Sequence, residues 1–274
     1  MAGPGERELL LGRQTPVADA YSPELLYPIP RAPARRDLGL GEPLPFVGVD
    51  VWHAYELSWL DAGGKPVARV GRFTVPATSP NMVESKSLKL YLNSLNNVRL
   101  ESDEAATEII RRDVGAVVGT AVELALFEPD DPGLVGQSPS GMCLDPLPVA
   151  MPEGEPSSEL LALAGDEILD EMLYSHLLRS LCPVTGQPDW ATVWLHYRGA
   201  SLDHGALLAY ILAYRQHQEF HEQCVERMYR DIHDFCKPEY LAVQALYTRR
   251  GGLDISPLRS SDATAEPLAR LNRQ

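Results

Sequence analysis

The sequence predicts an α+β protein in which antiparallel sheets carry helices on one face. Two observations lead there. The order strand, strand, helix, helix, strand is legible twice along the 274 residues, and a period-two stretch at Ala191–Arg198 coexists with a period-3.6 stripe at His221, Val225, Met228, Ile232 and Phe235. Strands that follow one another directly, with the helices grouped behind them, imply antiparallel pairing rather than a parallel βαβ sheet. A chain of this length can bury a sizeable core, or two, without a metal or disulfides.

Taken in order, residues 1–45 carry several prolines and the charged run Arg31-Ala32-Pro33-Ala34-Arg35-Arg36-Asp37, and they read as an extended arm. The first half, residues 46–128, opens with a strand from Val47 to Leu60. Asp61-Ala62-Gly63-Gly64-Lys65 makes a hairpin turn, and a strand returns from Val67 to Val75. A helix begins at Glu84-Ser85-Lys86-Ser87. A second is capped by Ser102, with Asp103 and Glu104 at its positive end and Ile110, Val114, Val117 and Val118 at helical spacing. Ala121–Phe127 closes the half as a strand. Residues 129–158, with repeated Asp, Pro, Gly and Ser, read as a linker.

The second half, residues 159–259, repeats the order. Leu173–Ser180 and Ala191–Arg198 read as strands on either side of a turn broken by Pro183, Gly186 and Pro188. Asp203 caps a helix through Tyr214, and another helix runs from about Gln218 to Phe235, stopped by Pro238. Tyr240–Tyr247 is a strand, Arg249-Arg250-Gly251-Gly252 a turn, and Leu253–Leu258 a last strand. The tail, 260–274, is polar and reads as loose.

Charge narrows the function. Lys+Arg 24 against Asp+Glu 38 gives a net charge of −14, a surface that repels a phosphate backbone and argues against nucleic acid as a partner. Cys143, Cys182, Cys224 and Cys236 are widely spaced, which suits free thiols and a cytoplasmic address. The apolar runs are too short or too interrupted to span a bilayer. Neither G-x-G-x-x-G nor G-x-x-x-x-G-K-[ST] is present.

Four groups of residues could carry chemistry, and each also has a bland reading. Cys182 and Asp189 flank the Pro/Gly turn, where a nucleophile and a proton donor could meet; alternatively Cys182 is a small buried hydrophobe. Lys86 and Lys89 lie three apart on a helix face with Ser85 and Ser87 beside them, a grip for phosphate or simply a solvated helix start capped by Glu84. His221 is a catalyst or a core histidine. Glu222 is a carboxylate that accepts paired N–H donors from a guanine-like edge, or a surface glutamate. His217, His221, Cys224 and Cys182 also offer a tetrahedral zinc set.

Glu84-Ser85-Lys86-Ser87-Leu88-Lys89-Leu90-Tyr91, Cys182-Pro183-Val184-Thr185-Gly186-Gln187-Pro188-Asp189-Trp190, His221-Glu222 and Arg249-Arg250-Gly251-Gly252-Leu253-Asp254 together resemble the NADPH-dependent 7-cyano-7-deazaguanine reductases, in their long, internally duplicated form. The resemblance covers nearly the whole chain up to about Arg259. One departure is Leu181, where a small polar residue is expected before the cysteine.

What the resemblance implies is a tandem tunnelling fold (T-fold) with the site between the halves, a homodimer, and reduction of a nitrile to an amine with two NADPH in queuosine synthesis. Cys182 would be the nucleophile that forms a thioimide, Asp189 the proton donor and His221 a proton relay. Val83, Glu84, Ser85, His221 and Glu222 would hold the substrate, and Ser85, Lys86, Arg250 and Gly251 the NADPH. No metal is implied. Two other readings stay open: a zinc-dependent T-fold cyclohydrolase acting on a purine or pterin precursor, and a purine-binding module without catalysis.

Overall fold

The computed structural model describes residues 20–274, which divide into two compact units. The first comprises the described residues up to Ala32, Trp52–Asp131 and Arg250–Leu253; the second comprises Pro33–Val51, Pro132–Arg249 and Asp254–Gln274. Both are antiparallel sheets with helices, as an α+β fold requires, and the tunnelling fold fits them.

In the first unit, β1 (Pro28–Pro30) is followed by α1 (Ala32–Asp37), nearly all of which belongs to the second unit, and by β2 (Val47–Leu60), which the first unit takes up at Trp52. Asp61 closes the hairpin into β3 (Pro66–Pro76): its N–H donates to the Lys65 carbonyl (2.9 Å) and its carboxylate accepts the Lys65 N–H (2.9 Å). β4 (Asn81–Val83) pairs antiparallel with β1, then come α2 (Ser85–Ser94), α3 (Asp103–Val118) and β5 (Glu123–Phe127), which pairs antiparallel with β3. Ser102 caps α3 by accepting the Ala105 N–H (3.2 Å), and Gly119 ends the helix in the left-handed region that lacks a penalty only for glycine. Ile110, Val114 and Val118 are buried as their spacing predicts, in a core with Trp59, Phe73, Leu88 and Tyr91.

The extended arm expected over residues 1–45 is corrected where it can be seen; residues 1–19 lie outside the described residues. Tyr27 donates its N–H to Ser87 Oγ (3.0 Å) and accepts the Glu84 N–H (2.9 Å), so this stretch is fastened to the start of α2 and forms a strand, and α1 follows it.

The second unit holds β6 (Met142–Cys143), β7 (Leu163–Ser175), β8 (Arg179–Leu181), β9 (Pro188–Leu202), α4 (His204–Ala213), α5 (His221–Cys236), β10 (Tyr240–Tyr247) and β11 (Leu253–Ser260). Its sheet runs β11-β10-β9-β7-β6, antiparallel except for the short β6–β7 pair, with β8 on the start of β9. α5 packs on β9 and β10 through Val225, Met228 and Ile232. Phe235 departs from the expected stripe. It stands one residue before the helix ends and is 39% exposed, whereas Cys224, Tyr229 and Cys236 are buried on other sides of α5.

Three further expectations are corrected here. The single strand read at 173–180 is two: β7 ends at Ser175, and β8 starts at Arg179 after Asp145 has captured the Ser175 hydroxyl (2.7 Å) and the His176 N–H (3.2 Å). α5 begins at His221, not near Gln218, because residues 217–219 are extended and pair with Leu181. The tail is not loose. Leu268 and Ala265 pack on the cluster of Trp194, Ala242 and Leu258, so the face of β9 that alternation would leave to water is covered, and Leu271 and Gln274 are buried.

Arg259 is fully buried in this unit. Its guanidinium donates to Asp50 Oδ1 (2.8 Å) and Glu226 Oε1 (2.9 Å), and Arg35 grips both oxygens of Glu226 (2.7 and 2.9 Å). Two cations and two anions thus balance inside the fold, and α5 is pinned to β11 and α1.

Candidate active site

The second unit carries Cys182, Asp189, His221 and Glu222. Cys182 leaves β8 and enters a turn closed by its own backbone: its N–H donates to the Gln187 carbonyl (2.9 Å) and its carbonyl accepts the Gly186 N–H (2.9 Å). Gly186 adopts φ +67, which a side chain would resist. Strand pairing of Leu181 with Pro188 and of Ser180 with Asp189 then brings Asp189 back alongside the cysteine strand. Leu181 needs no polar side chain for this. It pairs through its main chain, donating to the His217 carbonyl (2.8 Å) and accepting the Glu219 N–H (3.2 Å).

Cys182 is 8% exposed and Asp189 4%, so the thiol and the carboxylate both sit at the edge of the interior. His221, at the first position of α5, places Nε2 3.2 Å from Asp189 Oδ2. A proton can be held across that contact. The other face of the imidazole is controlled too: its ring lies 3.8 Å from that of Tyr247, at 19°. Tyr247 ends β10 and its hydroxyl is buried near Ser180 and Cys224, with no well-formed hydrogen bond. Burial pushes both the Cys224 thiol and the Tyr247 phenol up, which leaves them uncharged and makes Cys224 an inert neighbour. Glu222 is buried as well, contrary to its reading as a surface residue.

In the first unit, Val83 and Glu84 are buried where β4 meets α2. The Glu84 carboxylate caps α2: Oε1 accepts the Lys86 N–H (2.9 Å) and Oε2 the Ser87 N–H (2.7 Å). Burial nevertheless outweighs these bonds and raises its pKa. Lys89, one turn on from Ser85 and Lys86, lies against the turn at residues 250–252, its Nζ 3.8 Å from Glu56. A Cβ on Gly251 would sit 3.3 Å from that Nζ, and both Gly251 (φ +58) and Gly252 (φ +80) are left-handed. Cations beside a bare, tightly turned backbone suit an anionic, phosphorylated cofactor.

The zinc set does not assemble. His217 lies ahead of α5, not on it, and its two ring nitrogens are engaged by Glu155 Oε2 (2.5 Å) and Glu219 Oε2 (2.9 Å). Cys224 is sealed in the core. Among the described residues no group of three or more His, Cys, Asp and Glu side chains is arranged to hold a metal ion. Tyr247 was not legible as part of a site, since its partner His221 stands 26 positions earlier on a different element. The only sequence signal was an aromatic closing a strand beside a turn.

A protein family described as nitrile reductase, 7-cyano-7-deazaguanine-reductase N-terminal, matches residues 17–126, and one described as QueF-like protein matches residues 188–266. Curated relatives span nearly the whole chain. A protein of Chromohalobacter salexigens named NADPH-dependent 7-cyano-7-deazaguanine reductase is 50% identical over 266 residues, covering 96% of either chain. Proteins of the same name from Dechloromonas aromatica and Burkholderia vietnamiensis are each 51% identical, covering 94% and 96% of this chain and 92% and 97% of their own.

Proposed function

Because this chain belongs to the 7-cyano-7-deazaguanine reductase family, we propose that it is an NADPH-dependent oxidoreductase that reduces the nitrile of 7-cyano-7-deazaguanine to the amine of 7-aminomethyl-7-deazaguanine, in queuosine synthesis. The observation that carries the reading is the arrangement at the Cys182 turn in which the His221 imidazole contacts the Asp189 carboxylate (3.2 Å) and stacks on Tyr247.

Cys182 supplies the nucleophile. Its sulfur adds to the nitrile carbon while a proton passes from Asp189 to the nitrogen, giving a thioimide in which one C–N π bond has become a C–S bond and an N–H bond. Bound NADPH would supply the hydrides, one to that carbon while sulfur is attached and a second, from another molecule, after the sulfur has left; one further proton, beyond the one from Asp189, completes the neutral amine. Attachment to Cys182 holds the substrate in place through the first hydride transfer. His221, in contact with Asp189, returns the proton for the second half. Glu222 accepts N–H donors from the ring, and Val83, Glu84 and Ser85 are the further ring contacts that the family resemblance assigns. Ser85, Lys86, Arg250 and Gly251 are the residues that would hold NADPH, the cations meeting its phosphates.

The substrate is a neutral base, so an acidic surface does not oppose its entry. We assign the protein to the cytoplasm as a homodimer without nucleic acid as a partner; no helix among the described residues is long and apolar enough to cross a membrane.

The test is intact-mass analysis with 7-cyano-7-deazaguanine in the absence of NADPH, followed by NADPH and absorbance at the nicotinamide band. The expected result is an adduct on Cys182 that clears with two NADPH consumed per substrate. A Cys182→Ala protein should bind the base without adduct or turnover. Absence of both adduct and NADPH oxidation in the wild type would overturn the proposal, and stoichiometric zinc would revive the hydrolase.

A further inference from the structure

We propose that Tyr247 is a positioning residue for His221, and that Gln274 in the tail fixes Tyr247 in turn. The proposal rests on the reductase reading for the role of His221, but its geometry stands on contacts within the second unit.

A histidine at the first turn of a helix is free to rotate about χ1 and χ2, and a single contact to Asp189 leaves its ring plane unset. The Tyr247 ring sets that plane. At 3.8 Å and 19° the two rings lie face to face, so Nε2 can meet Asp189 Oδ2 (3.2 Å) only along one edge. Tyr247 itself cannot drift: it is 1% exposed, at the last position of β10, opposite Ala191 on β9. Its hydroxyl contributes no well-formed hydrogen bond, so the ring and not the phenol is the working part.

The end of β10 is held from the tail. Gln274 donates from Nε2 to the Tyr247 carbonyl (3.3 Å) and to Ser256 Oγ (2.9 Å), and its Oε1 accepts the Leu271 N–H (2.9 Å). Its backbone oxygen accepts from Arg249 (3.3 Å) and Arg270 (2.5 Å). The three side-chain bonds converge on the amide of a residue that is 7% exposed, and the two arginines hold its main chain. A clasp therefore runs from Gln274 through the Tyr247 backbone and ring to the imidazole.

The test uses the full-length protein in three variants: Tyr247→Phe, Tyr247→Leu and Gln274→Ala. Two readouts are taken. The first is the His221 imidazole NMR signal in histidine-labelled protein, assigned by its loss in His221→Asn, which reports the ring current of a stacked neighbour and needs no turnover. The second is kcat and KM for nitrile reduction. Tyr247→Phe should keep the shifted resonance and stay within threefold of wild-type kcat. Tyr247→Leu should move the resonance to that of an unstacked histidine and lower kcat on the order of 10- to 100-fold, the scale of a small misplacement of a reacting group, with KM within about twofold. Gln274→Ala should weaken the ring-current shift and lower kcat severalfold.

An unmoved resonance in Tyr247→Leu, or equal damage from Phe and Leu, overturns the positioning role. Wild-type behaviour of Gln274→Ala in both readouts overturns the clasp. Should wild-type protein show the stacked resonance yet reduce no nitrile, the proposed function falls while the stack stands.

Discussion

Arg259→Met converts a balanced quartet into an unbalanced one, and the cost can be worked from the structure. Arg259 is 0% exposed and contacts Asp50 Oδ1 at 2.8 Å and Glu226 Oε1 at 2.9 Å, so no water replaces the guanidinium when it is removed. Methionine fills much of the volume and keeps the packing against Phe46, which confines the change to charge. Glu226 retains Arg35, but two buried carboxylates then share one buried cation. Removing one partner of a buried ion pair costs about 3–5 kcal/mol, against a total folding stability of about 5–15 kcal/mol. At about 2–4 °C per kcal/mol for a chain of this size, Tm should fall by about 6–20 °C. Arg259→Lys keeps the charge but not the fork, and should lie between the two. Urea unfolding followed by far-UV circular dichroism and tryptophan fluorescence measures the loss. A deficit below about 1 kcal/mol in Arg259→Met would refute the argument, because it would mean that the quartet is solvated.

Ser102→Ala removes the acceptor for the Ala105 N–H and should cost about 1 kcal/mol by urea midpoint, with activity intact. Gly186→Ala forces a side chain onto φ +67 for about 1–2 kcal/mol of strain within the turn that holds Cys182; adduct formation with the nitrile, timed by mass spectrometry, should slow by about tenfold while Tm moves only a few degrees. His217→Ala gives a pH signature. Burial opposes charging of His217, but its bonds to Glu219 and Glu155 win and raise its pKa, so its contribution is full below 6.5 and fades as pH rises through the raised value. Burial likewise opposes ionisation of Glu219, but His217 and Arg227 win and lower its pKa, so its contribution is full above 4.5 and fades as pH falls through the lowered value. The stability gap between wild type and His217→Ala should therefore be widest between pH 4.5 and 6.5 and narrow above it; a gap that is flat or grows on the alkaline side contradicts the assignment.

Local chemistry was legible wherever residues act on their own neighbourhood. The Asp61 turn, the Ser102 and Asp203 caps and the strand Tyr240–Tyr247 are set by side chains within a few positions. The first part of β7 was missed because Leu163, Ala164, Glu167 and Leu169 are good helix formers without alternation; they are extended because β9 pairs with them. The tail is polar in composition, and its burial depends on two apolar contacts and one amide that only the folded sheet presents. At the site, residue types marked Cys182, Asp189, His221 and Glu222, and the capping of its helix by Glu84 was legible too, whereas the stacking of Tyr247 requires the elements to be in place.

The outer edge of β7 carries a consequence for handling the protein. From Leu163 to Met172 no strand lies beside that edge among the described residues, and Ile168 on it is 58% exposed. Open main-chain donors and acceptors next to an apolar side chain invite a second sheet edge to join. Asp166 and Glu167 sit on that stretch, exposed, and the bulge between Leu163 and Ile168 breaks its regularity. Two such edges therefore meet carboxylate to carboxylate and slide apart. That guard is electrostatic, with a reach of about 8 Å at physiological ionic strength and about 3 Å at 1 M. Concentrated salt or acid would strip it, and aggregation should then begin at this strand while the folded core remains intact.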